Sequence, residues 1–442
     1  MLKRMLISTI IAAGCFVNMF NFAYAVPQEN AEIVQEEVNE PQGLAQHAES
    51  ALLIDMKSGM VLFEKNADEK RFPASTTKIL TSLIVLETAN LSDVVVASAA
   101  AIEPITREHS NMGILIGEEL TVEDLLYGVL VHSANDAANV LAIHVSGSLD
   151  DFAQKMNQRA QELGAVNSHF VNPHGFHDEN HYTTARDLSI IAQYAMQNEK
   201  FREIVKTDSY QIEPTNKYDE IRYLSNTNRL VSRVRNHTYF YEKATGIKTG
   251  YTGEAKNCLV SSATDGQTEL MAVVMKCESD SFTDSKELLE YGFKNYKYAV
   301  ISPKGELVGD SCIVYEAKDD IRVSLTTDID VQRLMPVDYK QEDIVPQRHI
   351  DGKIKAPVQK GDILGSVTFM YNGEEVGSAN LVAINDVKKD YIKAAINLFV
   401  KIITNPVVLI ALAIFIFLRI AGTINRRKRR RYRRQRLDHF RY

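Results

Sequence analysis

Cysteine is scarce in this chain. Only four cysteines occur in 442 residues, and Cys15 lies in an apolar N-terminal segment. The other three, Cys258, Cys277 and Cys312, are too widely spaced for a zinc-binding pattern or a disulfide framework. One disulfide remains possible, but the spacing does not select a pair. Cys258 falls in an apolar run, so we expect a buried strand cysteine rather than a reactive thiol.

A metal-binding pattern of histidines is also missing. His174, His177 and His181 are close in sequence, and their spacing could suggest a metal site. However, Asn172-Pro173-His174-Gly175 is typical of a turn, and the helix expected of a zinc motif is lacking. We expect polar contacts in a loop and at a helix entry, with no metal and no other cofactor.

Long apolar runs are confined to the two ends of the chain. Lys3 and Arg4 precede an apolar run from residue 6 to residue 20, and Ala23-Tyr24-Ala25 follows. This pattern is typical of a secretory signal peptide, which we predict over residues 1–25. An uncleaved anchor is the alternative, but the run is shorter than the roughly 20 residues of a membrane span.

The C-terminal run is longer and is followed by a strongly basic tail. Residues 398–418 are mostly apolar, and 11 basic residues but only one acidic residue follow from Arg419 onward. The positive-inside rule predicts a transmembrane helix over residues 398–420 and a cytoplasmic tail over 421–442. An interfacial helix over residues 391–403 is the alternative. Because the Arg run directly follows an apolar segment, we do not expect nucleic-acid binding.

The rest of the chain has the composition of globular domains. Hydrophobic residues make up 45% and charged residues 24%, and the net charge of −7 despite the basic tail means that the exported body is acidic. Residues 26–46 are polar and acidic, which predicts a flexible lead. Residues 47–298 combine strands at both ends with helices between them. Residues 299–384 show short alternating runs typical of a small all-β domain, and 385–397 form a linker.

The larger domain is predicted to be α+β. Hairpins are indicated by residues 51–63 and by residues 257–275 around an Asp265-Gly266 turn, with a strand at 246–250 before the second hairpin. Helices are indicated at 122–145 with a break near Ser133, at 149–163, after Thr183 and at 285–298. This order predicts an antiparallel sheet closed by both ends of the domain, with a helical cluster between them.

Ser75-Thr76-Thr77-Lys78 marks the start of a further helix. Ser75 is a favourable N-cap residue, and from Ile79 onward the apolar residues cover nearly the whole helix circumference. Lys78 lies one helical turn after Ser75, so its amine can reach the hydroxyl. A hydroxyl and an amine held together can form an activated nucleophile, but this short pattern alone is weak.

Two further motifs make the pattern specific. Ser133-Ala134-Asn135 and Lys248-Thr249-Gly250 follow Ser75-Thr76-Thr77-Lys78 in that order. Together they resemble the serine acyl-transferases of the penicillin-recognising superfamily. Flanking residues 74–81, 117–126, 132–137, 181–188 and 246–252 resemble the low-molecular-mass D-alanyl-D-alanine carboxypeptidases, and residues 360–362 resemble that family's C-terminal domain. Lys256-Asn257 departs from the family, where this place usually has a glycine.

The resemblance implies a fold and a set of roles. The fold would be the transpeptidase/β-lactamase-like α+β fold with a small all-β C-terminal domain and a C-terminal membrane helix. Ser75 would be the nucleophile and Lys78 its base, with a pKa depressed by burial and by Lys248. The remaining expected site residues are Ser133 and Asn135 for proton relay and positioning, Lys248 and Thr249 for the substrate carboxylate, Gly250 for close approach, and the N–H groups of Ser75 and Tyr251 for the oxyanion.

The implied activity is removal of terminal D-alanine from peptidoglycan pentapeptides, outside the cell and inhibited by β-lactams. A β-lactamase is the enzymatic alternative, but no Glu-x-x-x-Asn segment lies between Leu163 and Thr183 to activate a deacylating water. A β-lactam sensor or wall-binding protein without turnover is the non-enzymatic alternative. The short basic tail carries no recognisable signalling domain to support it.

Overall fold

The structure is a computed structural model that describes residues 43–106, 109–234, 238–318 and 321–438. The predicted signal peptide and most of the predicted acidic lead lie outside the described residues.

A five-stranded antiparallel sheet is the centre of the larger domain. Its strand order is β2-β1-β9-β8-β7, so the N-terminal hairpin pairs with the hairpin that comes last in the sequence. Both predicted hairpins are confirmed, as is the closing of the sheet by both ends of the domain. The strands are β1 Ala48–Asp55, β2 Val61–Lys65, β3 Val94–Val96, β4 Glu119–Thr121, β5 Ser209–Ile212, β6 Arg222–Ser225, β7 Ala244–Thr252, β8 Lys256–Thr264 and β9 Glu269–Cys277.

Most helices of this domain lie in the sequence between the two hairpins. The predicted break near Ser133 is present and separates helix α3, Val122–Leu130, from helix α4, Asn135–Ser146. The helix expected after Thr183 is also present, and it is capped by the Thr184 hydroxyl, which accepts from the Asp187 N–H. The helices are α1 Lys78–Thr88, α2 Ala99–Ile102, α3 Val122–Leu130, α4 Asn135–Ser146, α5 Leu149–Leu163, α6 Ala185–Ala195, α7 Glu199–Lys206 and α8 Ser281–Asn295.

The prediction of a helix over 285–298 was wrong at its end. Helix α8 begins earlier, where the Asp280 carboxylate caps the N–H groups of Phe282 and Thr283. It stops at Asn295, because the residues from Tyr296 onward pair with a strand of the C-terminal region. Pairing with a distant strand therefore overrides the local helical pattern.

Apolar side chains cover both faces of the sheet. One core cluster joins a sheet face to the helices, and a second joins the other face to α8 through residues such as Leu288 and Leu289. Helix α1 is buried at every position from Lys78 to Val85, which confirms the all-round apolar pattern. The turn that precedes α1 is therefore fixed by a rigid support.

The C-terminal region consists of strands, as predicted, with its own apolar core. A four-stranded sheet has the order β13-β17-β16-β15, and two two-stranded sheets flank it. The strands are β10 Tyr296–Ser302, β11 Cys312–Ile313, β12 Arg322–Val323, β13 Leu325–Thr327, β14 Val331–Pro336, β15 Val345–Ile350, β16 Ile363–Tyr371 and β17 Glu374–Ala383.

Two helices end the chain. Helix α9 spans Tyr391–Ile403 and helix α10 spans Pro406–Asp438. The interruption at Asn405 divides the segment predicted as one helix over 398–420, because a proline at 406 is favourable only in a first helical turn. Residues Pro406–Tyr432 of α10 are long and apolar enough to cross a membrane, with a mean hydropathy of 2.7 in their most apolar window. The alternative amphipathic helix at 391–403 coincides with α9.

Candidate active site

The predicted contact between Ser75 and Lys78 is present. Lys78 Nζ lies 2.9 Å from Ser75 Oγ. The expectation that Ser75 caps the helix was wrong, because Ser75 lies inside a 3-10 turn, Ala74–Thr77, and α1 has no side-chain cap. The Ser75 hydroxyl is therefore engaged with the lysine amine. Ala74, just before it, has a left-handed φ of 48°, which is uncommon for a residue with a Cβ atom.

Lys78 has three hydrogen-bond partners among the described residues. Besides Ser75 Oγ, they are Asn135 Oδ1 at 2.6 Å and the His174 carbonyl oxygen at 2.8 Å. A neutral amine has two N–H donors and one lone pair. The amide and carbonyl oxygens only accept, so they take both donors. The lone pair is then left facing the Ser75 hydroxyl, which is the arrangement a general base requires.

The electrostatic surroundings also favour the neutral amine. Lys78 is completely buried, and burial lowers its pKa well below the usual value, with a further contribution from the charge of Lys248. Asp136 opposes these effects. Lys248 is itself buried, which lowers its pKa to about 7. Lys248 is thus close enough to Lys78 to lower the pKa of the amine that contacts Ser75.

The Ser133-Ala134-Asn135 motif connects α3 to α4. Asn135 is the first residue of α4, and its position is fixed by its N–H, which donates to the Ser110 carbonyl at 2.9 Å. Ser133 is buried and has a left-handed φ of 67°. Such backbone outliers cluster at functional sites. Ser133 is not among the described hydrogen-bond partners of Lys78, so the structure brings Asn135, but not Ser133, into direct contact with the amine.

Strand β7 carries the third motif along a free edge of the sheet. The Thr249 hydroxyl lies 2.7 Å from the Thr227 hydroxyl, and the Tyr251 side chain is 66% exposed. A Cβ atom at Gly250 would lie 2.9 Å from the Pro73 carbonyl oxygen and 3.0 Å from the Ser75 backbone nitrogen. Gly250 is thus needed for close packing of β7 against the turn that carries Ser75, a role that sequence reasoning assigned only to substrate approach.

The Asn172–Gly175 loop makes a contribution to the site that the sequence did not predict. Its His174 carbonyl binds Lys78, and its Pro173 carbonyl accepts from the Thr81 hydroxyl at 2.6 Å. The Asn172 side chain holds the loop by accepting from the Gly175 N–H at 2.7 Å. A Cβ atom at Gly175 would lie 1.8 Å from the Ala74 carbonyl oxygen, so only glycine allows this packing. The turn chemistry of the sequence was the available signal.

His181 contacts the Ala74–Thr77 turn that carries Ser75. Its Nδ1 accepts from the Val171 N–H at 3.2 Å, so in the neutral ring the proton is on Nε2, which donates to Thr77 Oγ1 at 2.8 Å. The Thr77 hydroxyl in turn donates to the Ala74 carbonyl. Burial lowers the pKa of His181 to about 3, so the ring is neutral. The expected helix-entry polar contact is therefore present.

His177 and the three described cysteines are not among the hydrogen-bond partners of Lys78. The His177 ring packs edge-on against Phe72, with ring centroids 4.6 Å apart. Cys258 is buried in β8, where burial raises its thiol pKa to about 11. The thiols of Cys277 and Cys312 are also free, so none of the three described cysteines forms a disulfide.

A serine hydroxyl 2.9 Å from a buried lysine amine with a lowered pKa, beside a sheet edge that carries a second lysine, is the arrangement of a penicillin-recognising serine acyl-transferase. The comparisons with known proteins narrow this class. Residues 35–279 match the D-alanyl-D-alanine carboxypeptidase family, and residues 296–389 match the family of the penicillin-binding protein 5 C-terminal domain. The first match covers more than half of the chain. The chain therefore belongs to the D-alanyl-D-alanine carboxypeptidase family of low-molecular-mass penicillin-binding proteins.

Individual relatives agree with this assignment. The chain is 34% identical to D-alanyl-D-alanine carboxypeptidase DacF of Bacillus subtilis, over 78% of this chain and 87% of that protein. It is 30% identical to DacA of Haemophilus influenzae, over 88% and 94%.

Solved structures confirm the fold class. Penicillin-binding protein 5 of Haemophilus influenzae superposes with a TM-score of 0.61 at 30% identity, covering 78% of this chain and 98% of that one. The Streptomyces K15 DD-transpeptidase covers only 56% of this chain and 97% of its own, with a TM-score of 0.52 at 34% identity.

Proposed function

We propose that this protein is a serine carboxypeptidase that removes the terminal D-alanine from peptidoglycan stem peptides through an acyl-enzyme on Ser75. The observation that carries the proposal is the 2.9 Å contact between Ser75 Oγ and a completely buried Lys78 amine with a strongly lowered pKa. Membership of the D-alanyl-D-alanine carboxypeptidase family supports the substrate class.

Acylation begins when Ser75 Oγ attacks the carbonyl carbon between the two alanines. The hydroxyl proton moves to the lone pair of Lys78, and the carbonyl oxygen becomes an oxyanion. The backbone N–H groups of Ser75 and Tyr251 bind that oxyanion. When the C–N bond breaks, the leaving amine takes a proton and departs as D-alanine. Ser133 relays that proton from Lys78 to the amine.

Deacylation uses the same groups in the second half of the cycle. A water molecule attacks the ester carbonyl and gives a proton to Lys78, and Ser75 leaves with a proton returned to its oxygen. The products are the shortened peptide and the free enzyme. Asn135 keeps the Lys78 amine in place through its 2.6 Å contact, and also binds the substrate amide.

The free carboxylate of the substrate is bound by Lys248 and Thr249. Lys248 is buried below the edge of β7, and its Nζ donates to the Thr249 carbonyl at 3.0 Å. A charge-assisted hydrogen bond to a carboxylate is strong at such a sheltered position. β-Lactam antibiotics present a carboxylate and a reactive amide at comparable positions, so we propose that they acylate Ser75 and inhibit the enzyme.

We further propose that the enzyme works outside the cell on a single-pass membrane anchor. The supporting observations are the predicted signal peptide over residues 1–25 and the apolar helix within Pro406–Tyr432, followed by the basic tail. In this arrangement, residues 47–298 form the catalytic domain and residues 299–384 the β domain between it and the membrane. Peptidoglycan pentapeptides, β-lactams and the cytoplasmic membrane are the partners, and no nucleic acid is involved.

D-alanine release tests the proposal directly. Purified protein is incubated with diacetyl-Lys-D-Ala-D-Ala, and free D-alanine is measured for wild type and Ser75→Ala. We expect release by wild type alone. A protein that is acylated by penicillin but releases no D-alanine would instead be a sensor, and rapid turnover of penicillin would indicate a β-lactamase.

A further inference from the structure

A pocket of about 390 Å³ is lined by residues that are close in sequence to Ser75 and to strand β7, and it has no role in the mechanism above. It begins at Phe72, three residues before Ser75, and extends to Glu254, just beyond the end of β7. Its lining carries charges of both signs together with aromatic rings. The residues that line it are Lys70, Arg71, Phe72, Glu179, Tyr182, Glu254 and Lys276.

The pocket lies in the direction that the acyl part of the substrate must take. Strand β7 passes the Ser75 turn at Gly250, as the close approach of these two backbones requires. If Lys248 and Thr249 hold the carboxylate on one side of this point, a peptide added along the sheet edge continues past Tyr251 toward Glu254 on the other side. Side chains of the acyl part therefore pass the mouth of the pocket.

Two of the pocket's basic groups are already paired. Arg71 contacts the carboxylate of Glu69, and Lys276 Nζ lies 2.9 Å from Glu49 Oε1. These pairs belong to the pocket wall and are largely neutralised within the protein itself.

Two other groups are left for a ligand, one of each sign. The Lys70 ammonium lies 4.1 Å from the centre of the Tyr182 ring and has no carboxylate partner among the described residues. Glu254 has no hydrogen-bond or ion-pair partner among the described residues, whereas the Glu179 carboxylate already lies 3.5 Å from His177 Nε2. An ammonium and a carboxylate on the same ligand would pair with Glu254 and Lys70, respectively.

We propose that this pocket binds a stem-peptide side chain that ends in a free amino acid group, with an ammonium and a carboxylate on one carbon. The side chain belongs to the residue before D-Ala-D-Ala, and meso-diaminopimelate has this chemistry whereas lysine has only the ammonium. The inference rests on the proposed function, because it takes the direction of the peptide from the proposed carboxylate site.

Three substrates that differ only in that side chain test the pocket with the full-length protein. They end in D-Ala-D-Ala and carry diacetyl-lysine, lysine with a free ε-ammonium, or meso-diaminopimelate. Each charged group should add a partly exposed ion pair, so we expect kcat/KM to rise about threefold at each step. A wild-type enzyme whose three kcat/KM values agree within twofold, or one that prefers the lysine substrate to the diaminopimelate substrate, would overturn the proposal.

Variants of Lys70 and Glu254 test whether these two residues cause the differences between the substrates. Lys70→Met should abolish the difference between the lysine and diaminopimelate substrates, and Glu254→Gln should abolish the difference between the diacetyl and lysine substrates. Lys304→Met and Glu374→Gln, at exposed positions of the β domain, are matched controls that should keep both ratios. Unchanged ratios in the two pocket variants would overturn the proposal. Failure of wild type to release D-alanine from any of the three substrates would instead overturn the proposed function.

Discussion

At the residue scale, the account depends on the protonation state of Lys78. An exposed lysine is charged at neutral pH and has no lone pair to accept a proton. Complete burial and the charge of Lys248 lower the pKa of Lys78, and two acceptors, Asn135 Oδ1 and the His174 carbonyl oxygen, can occupy the N–H groups of the neutral amine. The proposed base thus depends on its surroundings, since the same Ser-x-x-Lys pattern on an exposed helix would have no activated nucleophile.

Removal of the amine should abolish acylation as well as hydrolysis. We expect Lys78→Ala to lower the rate of penicillin acylation by about 10²–10⁴-fold, the range typical of a lost general base. Lys286→Ala, on the surface of α8, is the matched control and should react normally. Normal labelling of Lys78→Ala by a fluorescent penicillin would remove Lys78 from the acylation step.

The two lysines predict opposite effects of pH. Lys78 must lose its proton to act as base, so acylation should rise with pH through the lowered pKa of Lys78. Lys248 must keep its proton to bind the carboxylate, and its pKa of about 7 predicts a decline above neutral pH. Lys248→Arg should remove that decline, because guanidinium does not titrate in this range. Stopped-flow acylation from pH 5 to pH 10 measures both limbs, and an alkaline limb that persists in Lys248→Arg would assign it to another group.

At the scale of elements, three segments that are distant in sequence hold the nucleophile. They are the Ala74–Thr77 turn, the Asn172–Gly175 loop and the edge strand β7. The loop gives Lys78 its carbonyl partner, and β7 packs against the turn through Gly250. Each contact is made partly by backbone atoms, so its geometry depends on short side chains and on local turns.

The side-chain amide of Asn172 fixes the Asn172–Gly175 loop, and its removal tests whether the loop positions Lys78. Asn172→Ala removes the acceptor for the Gly175 N–H and frees the His174 carbonyl to move from Lys78. We expect a loss of stability of about 1–3 kcal/mol, typical of unsatisfied buried donors, and about a tenfold slower acylation. Asn180→Ala, in the same connection but exposed, should change neither quantity. Acylation at the wild-type rate in Asn172→Ala would show that the loop does not position the amine.

Strand β7 gives a second test at this scale. A methyl group at Gly250 would push the strand from the Ser75 turn, so Gly250→Ala should slow penicillin acylation by about 10- to 100-fold. A Cβ atom at Gly253, near the end of the same strand, meets nothing within 4 Å, and Gly253→Ala should be close to wild type. Equal acylation rates in the two variants would contradict the packing role of Gly250.

The sequence predicted side-chain chemistry better than backbone chemistry. The Ser75–Lys78 contact follows from residue type and spacing, because helical periodicity brings such side chains together, whereas Asn135 was expected beside Lys78 from the family resemblance. The His174 carbonyl could not be predicted, since every residue carries the same carbonyl and only the fold aims one at Lys78. The left-handed φ values of Ala74 and Ser133 were equally invisible, because neither residue type requires them. Lys256, where the family usually has glycine, also has a left-handed φ, of 54°.

At the scale of the whole molecule, the chain separates catalysis from attachment. The proposed catalytic residues lie in the α+β region, and the apolar surface for the proposed membrane contact lies in α9 and α10. Between Tyr391 and Tyr432 most residues of the two helices are exposed, including large apolar residues such as Phe399 and Phe415. This exposed apolar surface is the feature on which the proposed membrane anchor rests.

Truncation separates the contributions of the two helices. A chain that ends after Thr404 keeps α9, and we expect it to bind membranes peripherally, so that alkaline carbonate releases it. A chain that ends before Tyr391 should be soluble and should hydrolyse the diacetyl substrate at the wild-type rate. Full-length protein should resist carbonate, and its release from membranes by carbonate would show that α10 does not span the bilayer.

The acyl-enzyme on Ser75 is the central claim, and mass spectrometry after penicillin treatment tests it most directly. We predict an intact-mass increase of one penicillin per chain, located by proteolysis and fragmentation to Ser75, persistent for minutes and absent from Ser75→Ala. No adduct, an adduct on another residue, or loss of the adduct as fast as it forms would contradict the account.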